Sequence, residues 1–178
     1  YLVINFTDVD MDRFYAMPIT WAAKNGITTG ADETHFKPYG KCTRAQTVTF
    51  LWRAAGCPEP VSTSCPFEDV DENAFYYKAV LWAVEQGITK GVSKVSFAPD
   101  TAVTRAQVVV FLYRMEKADE VTVDNPFVDV SSSAYYNDAV LWAVKNEITN
   151  GMSATEFRPD NVCIRGQIVT FLYRNFVK

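Results

Sequence analysis

The sequence predicts an all-α fold assembled from three tandem helix–loop–helix units, and two observations carry that prediction. The first is a phrase that returns. "KPYGKCTRAQTVTFLWR" at residues 37–53 comes back as "APDTAVTRAQVVVFLYR" at 98–114 and as "RPDNVCIRGQIVTFLYR" at 158–174. Its arginine recurs at Arg44, Arg105 and Arg165, and the phenylalanine of "FTDV", "FEDV" and "FVDV" at Phe6, Phe67 and Phe127, both in steps of 61 and 60. The second is periodicity: "FYYKAVLWAVEQ" and its counterparts are apolar around most of a helical circumference, as in a helix covered on more than one side. Units of this size cannot bury such faces alone, so units 1–55, 64–116 and 124–178 are expected to form one cooperative domain.

The elements follow in order within each unit. A first helix is expected to start after Asp12, Asn73 or Ser133, polar residues able to cap it. Gly26 and Gly87 end it in the left-handed conformation that glycine adopts freely; Glu147 stands there in the third unit, at a cost of about 1 kcal/mol if the backbone is kept. A loop carrying Gly30, Gly91 or Gly151 and then Phe36, Phe97 or Phe157 leads to the second helix, which opens on Thr43 or Thr104. In "TRAQ" the threonine hydroxyl can accept from the backbone N–H three residues on while the glutamine reaches back, a capping box. Ile164 weakens that cap in the third unit, while Arg165 and Gln167 remain.

The arginine is not explained by capping. A cation in the first turn opposes the helix dipole by roughly 0.3–1 kcal/mol, so a carboxylate must compensate it. Two sources are open: an internal one at the recurring Asp8, Asp69 or Asp129, or one on a ligand. The same three aspartates could suggest glycoside cleavage, but recurrence in every unit fits a turn or cap better than an active site.

Composition excludes several classes. With 48% apolar and 21% charged residues the chain is globular. A net charge of −4 with scattered basic residues argues against nucleic acid. No apolar run reaches the roughly 20 residues of a membrane span, and "YLVINF" is too short for a signal-peptide core, so any secretion signal would lie outside this chain. No serine elbow, phosphate loop or metal motif appears, and neither a catalytic constellation nor a cofactor is expected. His35, the single histidine, reads as a surface residue. Cys57 and Cys65 flank the short "PEPVSTS" loop and are expected to pair. Cys42 and Cys163 match Val103, a small buried apolar slot in which free thiols pack, with a Cys42–Cys163 bridge as the alternative.

These phrases resemble the S-layer homology family over essentially the whole chain. Its pattern can be followed through "FEDVDENAFYYKAVLWAVEQGITKGVSKVSFAPDTAVTRAQ", three times in register. The resemblance implies a pseudo-threefold arrangement around a central bundle of three helices, one per unit. It implies grooves between neighbouring units that bind anionic, commonly pyruvylated, secondary cell-wall polysaccharide. The chain would then be part of a larger exported protein held non-covalently on the bacterial cell wall or S-layer. The family's groove arginine carries over to Arg44, Arg105 and Arg165. Around it the candidate ligand-binding residues are Gly30, Gly91 and Gly151, Gln46, Gln107 and Gln167, Lys90 and Trp82. Lys90 is expected to act beside Arg105 as a second cation, which would make Arg105 matter more than Arg165. Trp21, Trp82 and Trp142 could stack on a sugar face, but their place within the apolar helix pattern favours core packing. The chain departs from the pattern in having Gln for the commoner Glu of the four-residue motif and Tyr39 where the other units have Asp100 and Asp160. Its loops read "ADETHF", "VSKVSF" and "MSATEF" in place of a glycine-rich turn. An alternative is a protein-interaction or lattice-forming module that has lost glycan binding.

Overall fold

The structure, a computed structural model, describes residues 6–177; the start of the first unit, including most of "YLVINF", lies outside the described residues. Among the described residues six helices follow one another: α1 (Ala16–Lys24), α2 (Arg44–Ala54), α3 (Tyr77–Glu85), α4 (Arg105–Met115), α5 (Asn137–Lys145) and α6 (Arg165–Phe176). No strand forms among the described residues; isolated bridges join Lys41 to Ile164, Thr43 to Ala102 and Thr104 to Val162.

The second helices α2, α4 and α6 pack against one another at the centre. Each first helix packs on the second helix of the preceding unit: α3 on α2, α5 on α4, and α1 on α6, which closes the ring. One core therefore runs through all three units, from Phe36, Phe97 and Phe157 to Leu51, Leu112 and Leu172. Cys42, Val103 and Cys163 are fully buried near the axis, where Val103 N–H donates to Cys42 O and Cys163 N–H to Val103 O, each at 2.9 Å. Burial pushes the Cys42 thiol up to about 11 and the Cys163 thiol to about 12.

Two expectations need correction. The first helices begin at Ala16, Tyr77 and Asn137, several residues later than expected, behind Tyr15, Tyr76 and Tyr136, which provide no side-chain cap. The polar residues serve a preceding turn: Asp12, Asn73 and Ser133 donate their backbone N–H to the side chains of Asp10, Asp71 and Ser131. The Cys57–Cys65 bridge is not formed; both are free thiols. Cys57 is exposed and held in a left-handed turn (φ 56°), its N–H bonded to Trp52 O, whereas Cys65 is half-buried against the core. The expected left-handed helix ends are present at Gly26 and Gly87, and Glu147 adopts the same conformation with φ 59°.

Candidate functional site

The capping boxes form in the first two units: Thr43 accepts from Gln46 N–H and Gln46 from Thr43 N–H, both at 3.1 Å, and Thr104 and Gln107 do the same at 3.2 Å. In the third, Ile164 has no acceptor, and only Gln167 reaches back, at 3.3 Å. These boxes fix the first turn, and the arginine at its first position is thereby aimed across the boundary between units.

All three arginines are buried, at 3%, 2% and 7% exposure. Arg44 Nε donates to Phe97 O, Arg105 Nε to Phe157 O and Arg165 Nε to Phe36 O, each at 2.8 Å. Every arginine thus clasps the next unit, and the third returns to the first. Each guanidinium also stands over two rings: Arg105 lies 4.7 Å from the Phe157 centroid and 5.5 Å from that of Phe171, with Arg44 and Arg165 in matching positions. Such desolvated cation–π contacts contribute about 2 kcal/mol each. Desolvation draws all three guanidinium pKa values down, yet arginine stays charged at neutral pH.

No ion pair joins these arginines to Asp8, Asp69 or Asp129 among the described residues. Each aspartate instead receives two backbone N–H groups: Asp8 from Phe36 and Lys37, Asp69 from Phe97 and Ala98, Asp129 from Phe157 and Arg158. The second residue of each pair is left-handed, with φ of 56–58°. The carboxylate holds this strained corner in place, and with it the carbonyl that the arginine grips. The turn-or-cap reading of the aspartates is the one the fold adopts.

Three grooves result, each lined by all three units. The first, about 170 Å³, has the loop Thr28–Gly30, Gln46 and Arg53 from unit one, Arg165 from unit three and Phe75 from unit two. The second, about 350 Å³, has Thr89, Lys90, Gly91, Gln107 and Arg114 from unit two, Arg44 from unit one and Tyr135 from unit three. The third, about 310 Å³, has Thr149, Gly151, Met152, Gln167 and Arg174 from unit three, Arg105 from unit two and Phe14 from unit one. Among the described residues, no carboxylate is in these linings. The floor is rigid: buried Thr28, Thr89 and Thr149 accept from the N–H of Gly30, Gly91 and Gly151 at 3.1 Å. Those glycines have φ of 94°, 78° and 84°, and a Cβ at Gly91 would fall 2.5 Å from Phe67. Only glycine fits there.

The fold therefore brings together ten of the eleven candidate ligand-binding residues, with two changes. Trp82 lies in the core of α3, 5% exposed, outside all three grooves. Lys90 does not join Arg105: because each arginine crosses into the following unit, Lys90 shares its groove with Arg44. Sequence reasoning missed the rim residues Phe14, Phe75 and Tyr135, and also Arg53, Arg114 and Arg174. The latter donate Nη1 to Ile27, Ile88 and Ile148 carbonyls at 3.3, 3.2 and 3.1 Å. Both sets repeat at the period of the units, the arginines as the last letter of the returning phrase, and that repetition was the available signal.

The S-layer homology domain family model matches residues 5–48, 66–109 and 126–169, one match per unit. The chain belongs to the S-layer homology domain family. It is 32% identical over 119 residues to the surface-layer 125 kDa protein of Lysinibacillus sphaericus, covering 66% of this chain and 10% of that protein. It is 32% identical over 168 residues to an endoglucanase of Bacillus sp. (strain KSM-635), covering 91% of this chain and 18% of the enzyme. Cell surface glycoprotein 1 of Acetivibrio thermocellus matches at 24% identity over 157 residues, 82% of this chain and 7% of the glycoprotein. The chain thus corresponds to a small fraction of each of these relatives. S-layer homology domains are cell-surface anchoring modules rather than catalysts, and the relatives include surface-layer and cell-surface proteins.

Proposed function

We propose that this chain anchors a larger protein non-covalently to the bacterial cell wall by taking an anionic, pyruvate-bearing secondary wall polysaccharide into its inter-unit grooves. One observation carries the reading. In the first and third grooves the guanidinium is buried, its Nε is committed to a carbonyl, and the Nη2 of Arg165 or Arg105 has no partner among the described residues. An orphaned buried donor costs about 1–3 kcal/mol, more when charged. A ligand carboxylate supplies the missing acceptor, and in a groove free of competing carboxylates it does so as a charge-assisted bond. The rim aromatics Phe14, Phe75 and Tyr135, all more than half exposed, offer flat apolar surface for a sugar ring.

Retention on purified wall polymer, before and after chemical removal of its pyruvate, tests this. The chain is expected to sediment with the native polymer and to lose most of that binding once the pyruvate is gone. Equal binding to both would remove the carboxylate from the recognition. Binding to neither would replace wall anchoring with the protein-interaction or lattice-forming reading.

A further inference from the structure

The three grooves share a plan but not a chemistry. Between the buried threonine and the obligatory glycine stand Thr29, Lys90 and Asn150. In the second groove, Lys90 makes a third cation beside Arg44 and Arg114, and the facing rim residue is Tyr135, a ring with a hydroxyl. The third groove is nearly as large but has two arginines, a phenylalanine rim and Met152 on its lip, whose sulfur receives Gln167 Nε2 at 3.5 Å. The first has two arginines, a phenylalanine rim and about half the volume.

We propose that the second groove is the principal seat for a carboxylate-bearing saccharide in this chain, with Lys90 as the residue that determines the preference. The proposal rests on the carboxylate-binding function above; the unpartnered Nη2 atoms belong to Arg105 and Arg165 in the other two grooves, and the preference for the second is argued from its third cation, its volume and Tyr135. The groove combines two kinds of cation: Arg44, a planar fork locked by Phe97 O, and Lys90, an exposed and mobile point charge that can follow the ligand. Tyr135 adds an apolar face and a polar tip suited to a sugar, contributed by a different unit from either cation. In the third unit the counterpart of Lys90 is Asn150, a neutral amide, and the groove's cations are Arg105 and Arg174, so a carboxylate finds weaker compensation there. In the first, the smaller volume limits what can enter beside Arg165.

The test is a titration of the 178-residue chain with a methyl hexopyranoside bearing a 4,6-linked pyruvate ketal, followed by amide resonances in each groove. Gly91 and Gln107 are expected to shift and saturate first. Lys90→Asn should weaken that site roughly 10-fold or more, the effect of losing one charge-assisted contact. It should leave Gly30 and Gly151 unchanged, and Asn150→Lys should strengthen the response at Gly151 several-fold. Lys90 is exposed, so an unchanged spectrum of the free variant verifies its fold. Gly30 or Gly151 saturating first, or Lys90→Asn without effect, would overturn the ranking while leaving groove binding intact. No shift in any groove would overturn groove binding itself and the ranking with it.

Discussion

Arg105 shows how structure and site share one side chain. Its Nε satisfies a buried carbonyl of the next unit, its plane stacks on Phe157 and Phe171, and its remaining edge lines a groove. Arg105→Ala should therefore destabilise the chain by about 2–4 kcal/mol, from a lost charged hydrogen bond and cation–π contacts, read as a lower urea midpoint. That cost must be separated from any binding loss by confirming that the variant is folded. The cysteines give a second prediction. Denaturing thiol titration should count four free thiols, and in the native protein Cys57 should react first because Cys42 and Cys163 are fully buried. Their raised pKa values have a defined sign. The native state keeps both protons where the unfolded state, ionising near the ordinary value of 9.0, releases them, so stability is full below about 9 and falls as pH rises toward 11–12. A Cys42→Val, Cys163→Val chain, copying Val103, should lose less stability between pH 9 and 11. The slot shared by Cys42, Val103 and Cys163 could be read from the sequence. The partner of each arginine could not, because it lies 52 or 53 residues ahead, or 129 behind, and capping constrains only the arginine's own turn.

At the level of the element, the second helices were legible because their start is written in side chains: a threonine and a glutamine three apart have few other uses at the head of an apolar run. The first helices were legible in their interior but not at their start, since the polar residues there cap a turn that precedes the helix. Two local irregularities in the third unit are testable. Glu147 holds a left-handed conformation that glycine provides in the other units. Glu147→Gly should stabilise the chain by about 1 kcal/mol, visible as a higher thermal midpoint. Gly166, by contrast, replaces Ala45 and Ala106 for a reason in the closing seam. A Cβ there would lie 3.1 Å from Pro38 O and 3.3 Å from Tyr15. Tyr15 is buried against this seam, edge-on to Tyr39 at 5.5 Å, and the neighbouring Tyr39 phenol together with burial pushes its own phenol up to about 12. Tyr39 in place of the aspartate thus belongs with Gly166 as one local repacking around Tyr15, which the other units share as Tyr76 and Tyr136, a coupling that no single position announces.

At the level of the whole molecule, the units are interlocked: each first helix rests on the preceding unit, each arginine grips the following one, and each groove takes residues from all three. The repeat count and the need for a shared core were plain from the period of the sequence, whereas the direction of the interlock was not, since period alone does not say which neighbour a face meets. The consequence is that both folding and binding should depend on closure. The most direct measurement is to delete residues 124–178, which leaves Arg44, Lys90, Gln107 and Arg114 of the second groove in the chain. Thermal unfolding and wall-polymer binding of the remainder are then compared with those of the intact protein. Closure predicts that the shortened chain loses its cooperative transition, because α1 no longer has α6 to cover it, and loses polymer binding with it. A truncated chain that melts cooperatively at an unchanged midpoint and still binds the polymer would contradict the interlocked ring.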